Sequence, residues 1–401
     1  MKKWLVIFMT ITLVLSGCSI GIKPVDDTIQ ETDVDEVRAI WLSYLDLHPM
    51  FAGRTKESYR LALEEAMQKI KNLGMNTVMY QVRPFGDALY MSNLFPSSYL
   101  VTGTEGAILS FDPLYVAIDV AKKNGLRIEA WMNPYRVRNA NSMIPLSNNN
   151  IAKIWYSDGS RRVIKTSKGI MIYNPALAEV RKYIVNSVKE IIEHYAVDGI
   201  HFDDYFYPTT DTAFDKVEYL AFSNNGGTLT LGDYRRENVN KLIREVYQLI
   251  HSYDRDIVFG ISPQGILDIN YNKLYVDVPL WLSANGYVDY ICPQVYFGFN
   301  HSIVPFEQMM DNWNALIKNN VRLIAGLAVY KVGQEDKRAG YGKREWIDSE
   351  RILGQMINTA KSNSHYGGYA LYRYDSLFKP SASIVERIND EKQGIMESIS
   401  D

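Results

Sequence analysis

The sequence predicts a (β/α)8 barrel in a single catalytic domain with long loops after the strands, and three observations carry that reading. Strand-like and helix-like runs alternate eight times from Val37 onward, and each strand run is continuously apolar. The alternation fills about 350 residues, the scale of one barrel with inserts. Continuous apolar strands separated by helices make a parallel sheet covered by those helices. An open doubly wound sheet would call for a glycine-rich turn after the first strand, and the sequence has none there.

Ahead of the barrel, Lys2 and Lys3 precede an apolar run from Trp4 to Leu15, which ends in Leu15-Ser16-Gly17-Cys18. A basic start, an apolar segment too short to span a bilayer and small residues at its end predict a signal peptide over 1–18. The ending resembles a bacterial lipobox, so Cys18 is the expected lipidation site and the mature N-terminus. The other reading is a cleaved secretory signal with an incidental cysteine. Residues 19–36 are polar and acidic without periodicity and suit a flexible tether. Export and attachment to the membrane through the lipid, facing the cell envelope, are the expectation. The barrel is expected over 37–390 and a tail over 391–401.

Taken in order, Val37 to Tyr44 reads as the first strand and Thr55 to Leu73 as a helix stopped at Gly74, where a left-handed cap costs little. Met75 to Arg83 is the second strand. After a long loop, Asp112 caps a helix from Pro113 to Asn124 that stops at Gly125. Leu126 to Asn133 is the third strand, followed by another long loop with Trp155, Arg161 and Arg162. The third helix runs from about Pro175 to Tyr195, with Val180, Ile184, Val188, Ile191 and Ile192 at helical spacing. Asp198 to Pro208 is the fourth strand and Val239 to Tyr253 the fourth helix. Ile257 to Ser262 is the fifth strand, and a shorter helix ends near Leu282. Val288 to Tyr296 and Phe306 to Lys318, then Val321 to Tyr330 and Glu350 to Lys361, make the sixth and seventh units. Gly368 to Tyr374 is the eighth strand, with a last helix from Ser383.

Composition narrows the function. An apolar fraction of 47% and a charged fraction of 22% belong to a globular protein with a sizeable core. A formal net charge of -3 without basic blocks gives no reason to expect a nucleic-acid partner. The 28 tyrosines lean towards a carbohydrate ligand, because aromatic rings cover the apolar faces of sugars. Cys292 is the one cysteine besides Cys18, and in an apolar run it reads as a small buried residue.

The fourth strand ends in the paired acids Asp203 and Asp204 among aromatic residues. In a barrel strand alternate residues face the interior, which turns His201 and Asp203 inward and Asp204 sideways. The same alternation presents Gln81 and Arg83 from the second strand, and Glu129, Trp131 and Asn133 from the third. The fifth presents Ser262 and Gln264, and the sixth Gln294 and Tyr296. The eighth ends in Arg373, Tyr374 and Asp375. Tyr135, Arg136 and Tyr205 follow in the adjoining loops. Amides and charges bond hydroxyls and rings cover sugar faces, so such a mouth fits a polyhydroxylated ligand. Structural hydrogen bonding is the bland alternative for each residue singly.

Glycoside hydrolysis needs two carboxyl groups, one protonated and one ionised. Asp203 is the first candidate, in the ionised role. Asp204, kept among the catalytic residues, diverges by strand geometry and reads as its positioning neighbour, so the partner is sought among Glu129, Asp87 and Asp375, with burial of Glu129 suiting an acid. No cofactor or metal is expected: the six histidines show no close ligand pair, and no His-Glu-x-x-His, Gly-x-Ser-x-Gly or phosphate-binding loop is present.

Five motifs then resemble the bacterial glycosyl-hydrolase-like lipoprotein family of the GHL ten type. They are Val37-Arg38-Ala39-Ile40-Trp41-Leu42, Ala130-Trp131-Met132-Asn133-Pro134-Tyr135-Arg136, Asp198 to Pro208, Gly260-Ile261-Ser262-Pro263 and Val288 to Tyr296. The resemblance spans about Val37 to Phe378 and implies a glycosidase-like (β/α)8 barrel. It also implies a cell-envelope location and hydrolysis of polysaccharide, since the family includes a divisome-associated hydrolase of peptide-free peptidoglycan strands. Its motif positions implicate Asp203, Asp204, Asn133, Arg136, Gln294 and Tyr296. Glu129 stands where the family pattern has His, so an acid role for it rests on its surroundings alone. A non-catalytic glycan-binding envelope lipoprotein, and a hydrolase of another polysaccharide, are the rival expectations.

Overall fold

The computed structural model describes residues 36–140, 142–203, 206–253 and 256–400. The expected signal peptide, Cys18 and the tether up to residue 35 lie outside the described residues, as do Asp204 and Tyr205. The eight expected strands are present: β1 (Val37–Leu42), β2 (Thr77–Arg83), β3 (Arg127–Met132), β4 (Gly199–Asp203), β5 (Val258–Ser262), β6 (Tyr290–Ile291), β7 (Arg322–Ala328) and β8 (Tyr366–Tyr372). Each pairs in parallel with its chain neighbour, and β8 closes on β1. The chain is a (β/α)8 barrel.

Local chemistry sets the element ends. Asp112 accepts from the backbone N–H groups of Leu114 and Tyr115, and Pro113 opens the helix Pro113–Lys123. Gly74 and Gly125 take φ of 86° and 69° just past their helices. β1 stops two residues short of expectation because Ser43 and Asp46 form a capping box for the helix Tyr44–Phe51. β6 is short because Pro293 has no N–H to give, and Gln294 keeps only isolated bridges to its neighbours.

Three elements depart from the sequence reading. The loop after the third strand contains a three-stranded antiparallel sheet, Arg136–Arg138, Val163–Lys165 and Met171–Tyr173. The helix expected from Val239 begins at Leu231, capped by Thr230, because its first two turns carry polar side chains that hide the periodicity. The expected tail over 391–401 is helical to Ser400, within Val385–Ser400. There Glu391 accepts the backbone N–H groups of Ile352 and Leu353, and Gly394 lies against Gly354, where a Cβ would meet backbone at 2.5 Å.

The main core lies between the strands and the helices. A second, smaller core fills the barrel from Ala39, Trp41, Met79, Trp131, Tyr290, Cys292, Ile324 and Ala370. Strand register stacks its polar members by depth. Glu129 pairs with Gly199, Trp131 with His201, and Asp203 with Ser262.

Candidate active site

Asp203 ends β4 at the C-terminal rim of the barrel, where such folds place their chemistry. Its Oδ1 receives the Ser262 hydroxyl and the Gln294 amide, each at 2.8 Å, and Asn133 Nδ2 lies 3.4 Å from Oδ2. Behind Asn133 the network continues: Gln81 donates to it across 2.7 Å and itself accepts the Tyr44 N–H at 2.8 Å. Burial holds the Asp203 carboxyl above the usual aspartate range, while these donors and the Arg136 charge pull the other way. The direction of the shift is the one a proton donor needs, while the donors on Oδ1 and Oδ2 favour the ionised form.

Two cavities meet at this carboxyl. The first, about 250 Å³, is walled by Trp41, Tyr44, Trp131, Tyr296, Tyr330 and Tyr372, with Gln81, Gln294 and Arg136 among them. The rings of Tyr296 and Tyr372 stack at 5.9 Å, and Tyr330 stands edge-on to both. The second cavity, about 310 Å³, lies under the inserted sheet between Asn133, Tyr135, Asn139, Ile170, Ile172 and Pro208. Asp203 and Arg136 line both. Among the described residues, Asp203 is the sole carboxylate lining either cavity.

Of the expected residues, Trp131, Asn133, Tyr135, Arg136, Gln294 and Tyr296 are gathered around Asp203. Arg83 is not. A register irregularity between Gln81 and Arg83 sends its side chain away from the interior, where it donates to the carbonyls of Phe85 and Pro134 and lies over the Phe95 ring. His201 is fully buried beneath Asp203, and desolvation lowers its pKa to about 3, so it stays neutral. The Gln264 side-chain Oε1 is occupied by the Ile266 N–H at 2.6 Å. Arg373 is ion-paired with Asp46 and lines a separate cavity with Asp375 and Lys379.

The expected partner carboxylates fare similarly. Glu129 lies four residues below Asp203 by register, about 13 Å down the barrel, and cannot flank the same bond. Asp87 is buried against Arg138 at 3.0 Å, and Asp375 is bridged to Lys379 at 3.0 Å. Trp41, Ser43, Tyr44, Tyr330 and Tyr372 line the cavity but were not singled out as site residues. The period-two alternation through Ala370 and Tyr372, and through Ala39 and Trp41, was the available signal for two of them.

The chain matches the family model described as Glycosyl hydrolase-like 10 over residues 36–343. It is 30% identical over 397 residues to the glycosyl hydrolase DigH of Escherichia coli strain K12, covering 90% of this chain and 87% of that one. It is 29% identical to the glycosyl hydrolase YngK of Bacillus subtilis strain 168, covering 82% and 68%. Solved structures share its fold. The glycoside hydrolase domain of PgaB (BpsB) from Bordetella bronchiseptica superposes with a TM-score of 0.55 at 14% identity, covering 90% and 99% of the two chains. The β-amylase catalytic domain of Paenibacillus polymyxa superposes with 0.58 at 13%, covering 91% and 99%.

Proposed function

The chain belongs to the glycosyl hydrolase-like 10 family and is a glycosidase, and from that premise we propose that it cleaves within peptidoglycan glycan strands of the cell envelope, with Asp203 as the group that protonates the leaving oxygen. The observation that carries this reading is the position of Asp203 at the junction of two cavities. A polymer threaded through both would place sugars on either side of the carboxyl, with the scissile bond between them. The tyrosine and tryptophan walls suit sugar faces, and amides from Gln81, Asn133 and Gln294 suit hydroxyls.

Arg136 supports the choice of polymer. It lines both cavities, and a peptidoglycan strand stripped of peptides carries a free lactyl carboxylate on alternate sugars. A guanidinium is well matched to such a group. For the second carboxyl we propose Asp204, the sequence neighbour left once Glu129, Asp87 and Asp375 are set aside. Export and lipid attachment at Cys18 are proposed on the lipobox alone.

The test is digestion of peptide-free strands, intact peptidoglycan and a neutral N-acetylglucosamine polymer by the wild type, Asp204→Asn and Arg136→Met. The reading predicts preference for the peptide-free strands, loss of product in Asp204→Asn, and a preference for acidic over neutral polymer that Arg136→Met erases. Equal turnover of the neutral polymer by the wild type would remove the peptidoglycan assignment.

A further inference from the structure

Below Asp203 an unbroken chain of side chains runs to the barrel floor. Ser262 Oγ lies 2.8 Å from Asp203 Oδ1 and 2.9 Å from His201 Nε2. His201 Nδ1 lies 2.7 Å from the Tyr290 hydroxyl, which bonds directly to the Glu129 carboxyl. His201, Ser262, Glu129 and Tyr290 are all buried. The barrel is shaped around this chain. A Cβ on Gly260 would fall 1.9 Å from the Tyr290 ring, and one on Gly199 would fall 2.8 Å from Glu129 Cγ.

Counting protons shows what the chain holds. It has four contacts: Asp203–Ser262, Ser262–His201, His201–Tyr290 and Tyr290–Glu129. Ser262, neutral His201 and Tyr290 each supply one proton, which leaves one contact without any if both carboxyls are ionised. A single proton on either carboxyl completes all four. With that proton on Glu129, every bond points towards Asp203. With it on Asp203, every bond points towards Glu129, and His201 Nε2 is then an acceptor that the Trp41 indole N–H also reaches, at 3.3 Å.

We propose that Glu129 and Asp203 share one proton through Tyr290, His201 and Ser262, so that Glu129 serves as a buried proton store for the carboxyl at the cleavage site. The step balances. Glu129 gives its proton to Tyr290 while Tyr290 gives its own to His201 Nδ1. His201 Nε2–H passes to Ser262 and the Ser262 proton to Asp203, leaving Glu129 ionised and the three carriers neutral. When Asp203 later takes a proton released from the attacking water, the same path run backwards refills Glu129. This assignment rests on the reading of Asp203 as the proton donor in cleavage. The groups facing the two ends are Arg127, Asp198, Arg322 and Cys292 at Glu129, and Arg136, Tyr296, Tyr372 and Cys292 at Asp203.

A substrate-free titration tests the relay separately from the choice of polymer. The protonated-carboxyl C=O stretch is followed by infrared difference spectroscopy against pH in the wild type, Glu129→Gln, Asp203→Asn, Tyr290→Phe and Tyr290→Phe/Asp203→Asn. The shared proton predicts that Asp203→Asn lowers the upper midpoint by about one pH unit, the scale of one hydrogen bond to a charged group, and that Glu129→Gln does the same. Tyr290→Phe keeps both charges but cuts the path, so Asp203→Asn then leaves the Glu129 midpoint in place. No shift in either single variant would overturn the relay. A shift undiminished in the Tyr290→Phe background would also overturn it, by assigning the coupling to the electric field alone.

Discussion

The Gln294 side-chain amide donates to Oδ1 of Asp203 across 2.8 Å, from a residue that has already left the β6 ladder. That bond stabilises the ionised carboxyl and opposes the upward push of burial. In Gln294→Leu the ionised form loses a donor, so the Asp203 pKa rises further. The limb of the kcat/KM profile that follows loss of the Asp203 proton should move to higher pH by about one unit. A shift to lower pH would contradict the donor's role.

The stacked Tyr296–Tyr372 pair and the edge-on Tyr330 form the aromatic wall of the first cavity. Tyr330 is half exposed, so truncating it removes a cavity-facing ring with little damage to the core. Tyr330→Ala should raise KM about tenfold with kcat nearly unchanged, the pattern of lost uniform binding and close to the upper end for one ring contact. Steady-state kinetics on a soluble oligosaccharide check this.

Asp87, Arg138 and Glu105 form a buried charge cluster. Arg138 is the one cation between two buried carboxylates, so Arg138→Met leaves both without it and should lose roughly 3–5 kcal/mol of stability. Arg138 lines neither cavity at Asp203, so activity per folded molecule should be retained. Urea unfolding measured beside turnover separates the two effects.

Burial raises the Glu129 pKa from 4.5 to about 7, and Glu391 at the head of the helix Ile352–Lys361 shifts alike. A carboxyl raised on folding binds more protons in the native state between those values. Its stabilisation is full below pH 4.5 and is lost as pH rises through about 7. Each group accounts for up to about 3 kcal/mol across that window. Glu129→Gln should flatten the decline in part, and Glu129→Gln/Glu391→Gln further. Denaturation midpoints from pH 4 to 8 (about the span of the shift) would show it.

Eight apolar runs were enough to read the barrel, because a strand buried on both faces leaves a continuous signature. Alternation then brought Trp131, Asn133, Asp203, Gln294 and Tyr296 correctly to one mouth. It failed at Arg83, because the irregularity after Gln81 flips the side chain out of phase. Glu129 lies deep, as read from its strand, but His201, expected at the ligand, faces inward in a layer below the cavity. The inserted sheet was illegible because its three strands are each three residues long. Too little periodicity fits in such a span.

The cleavage role proposed for Asp203 is measured most directly by the rate of product release from peptide-free glycan strands by Asp203→Asn against the wild type, with folding of both verified by circular dichroism. Loss of a group that transfers the proton predicts a fall of at least about a hundredfold, with strand binding retained. Turnover by Asp203→Asn at the wild-type rate would contradict that role.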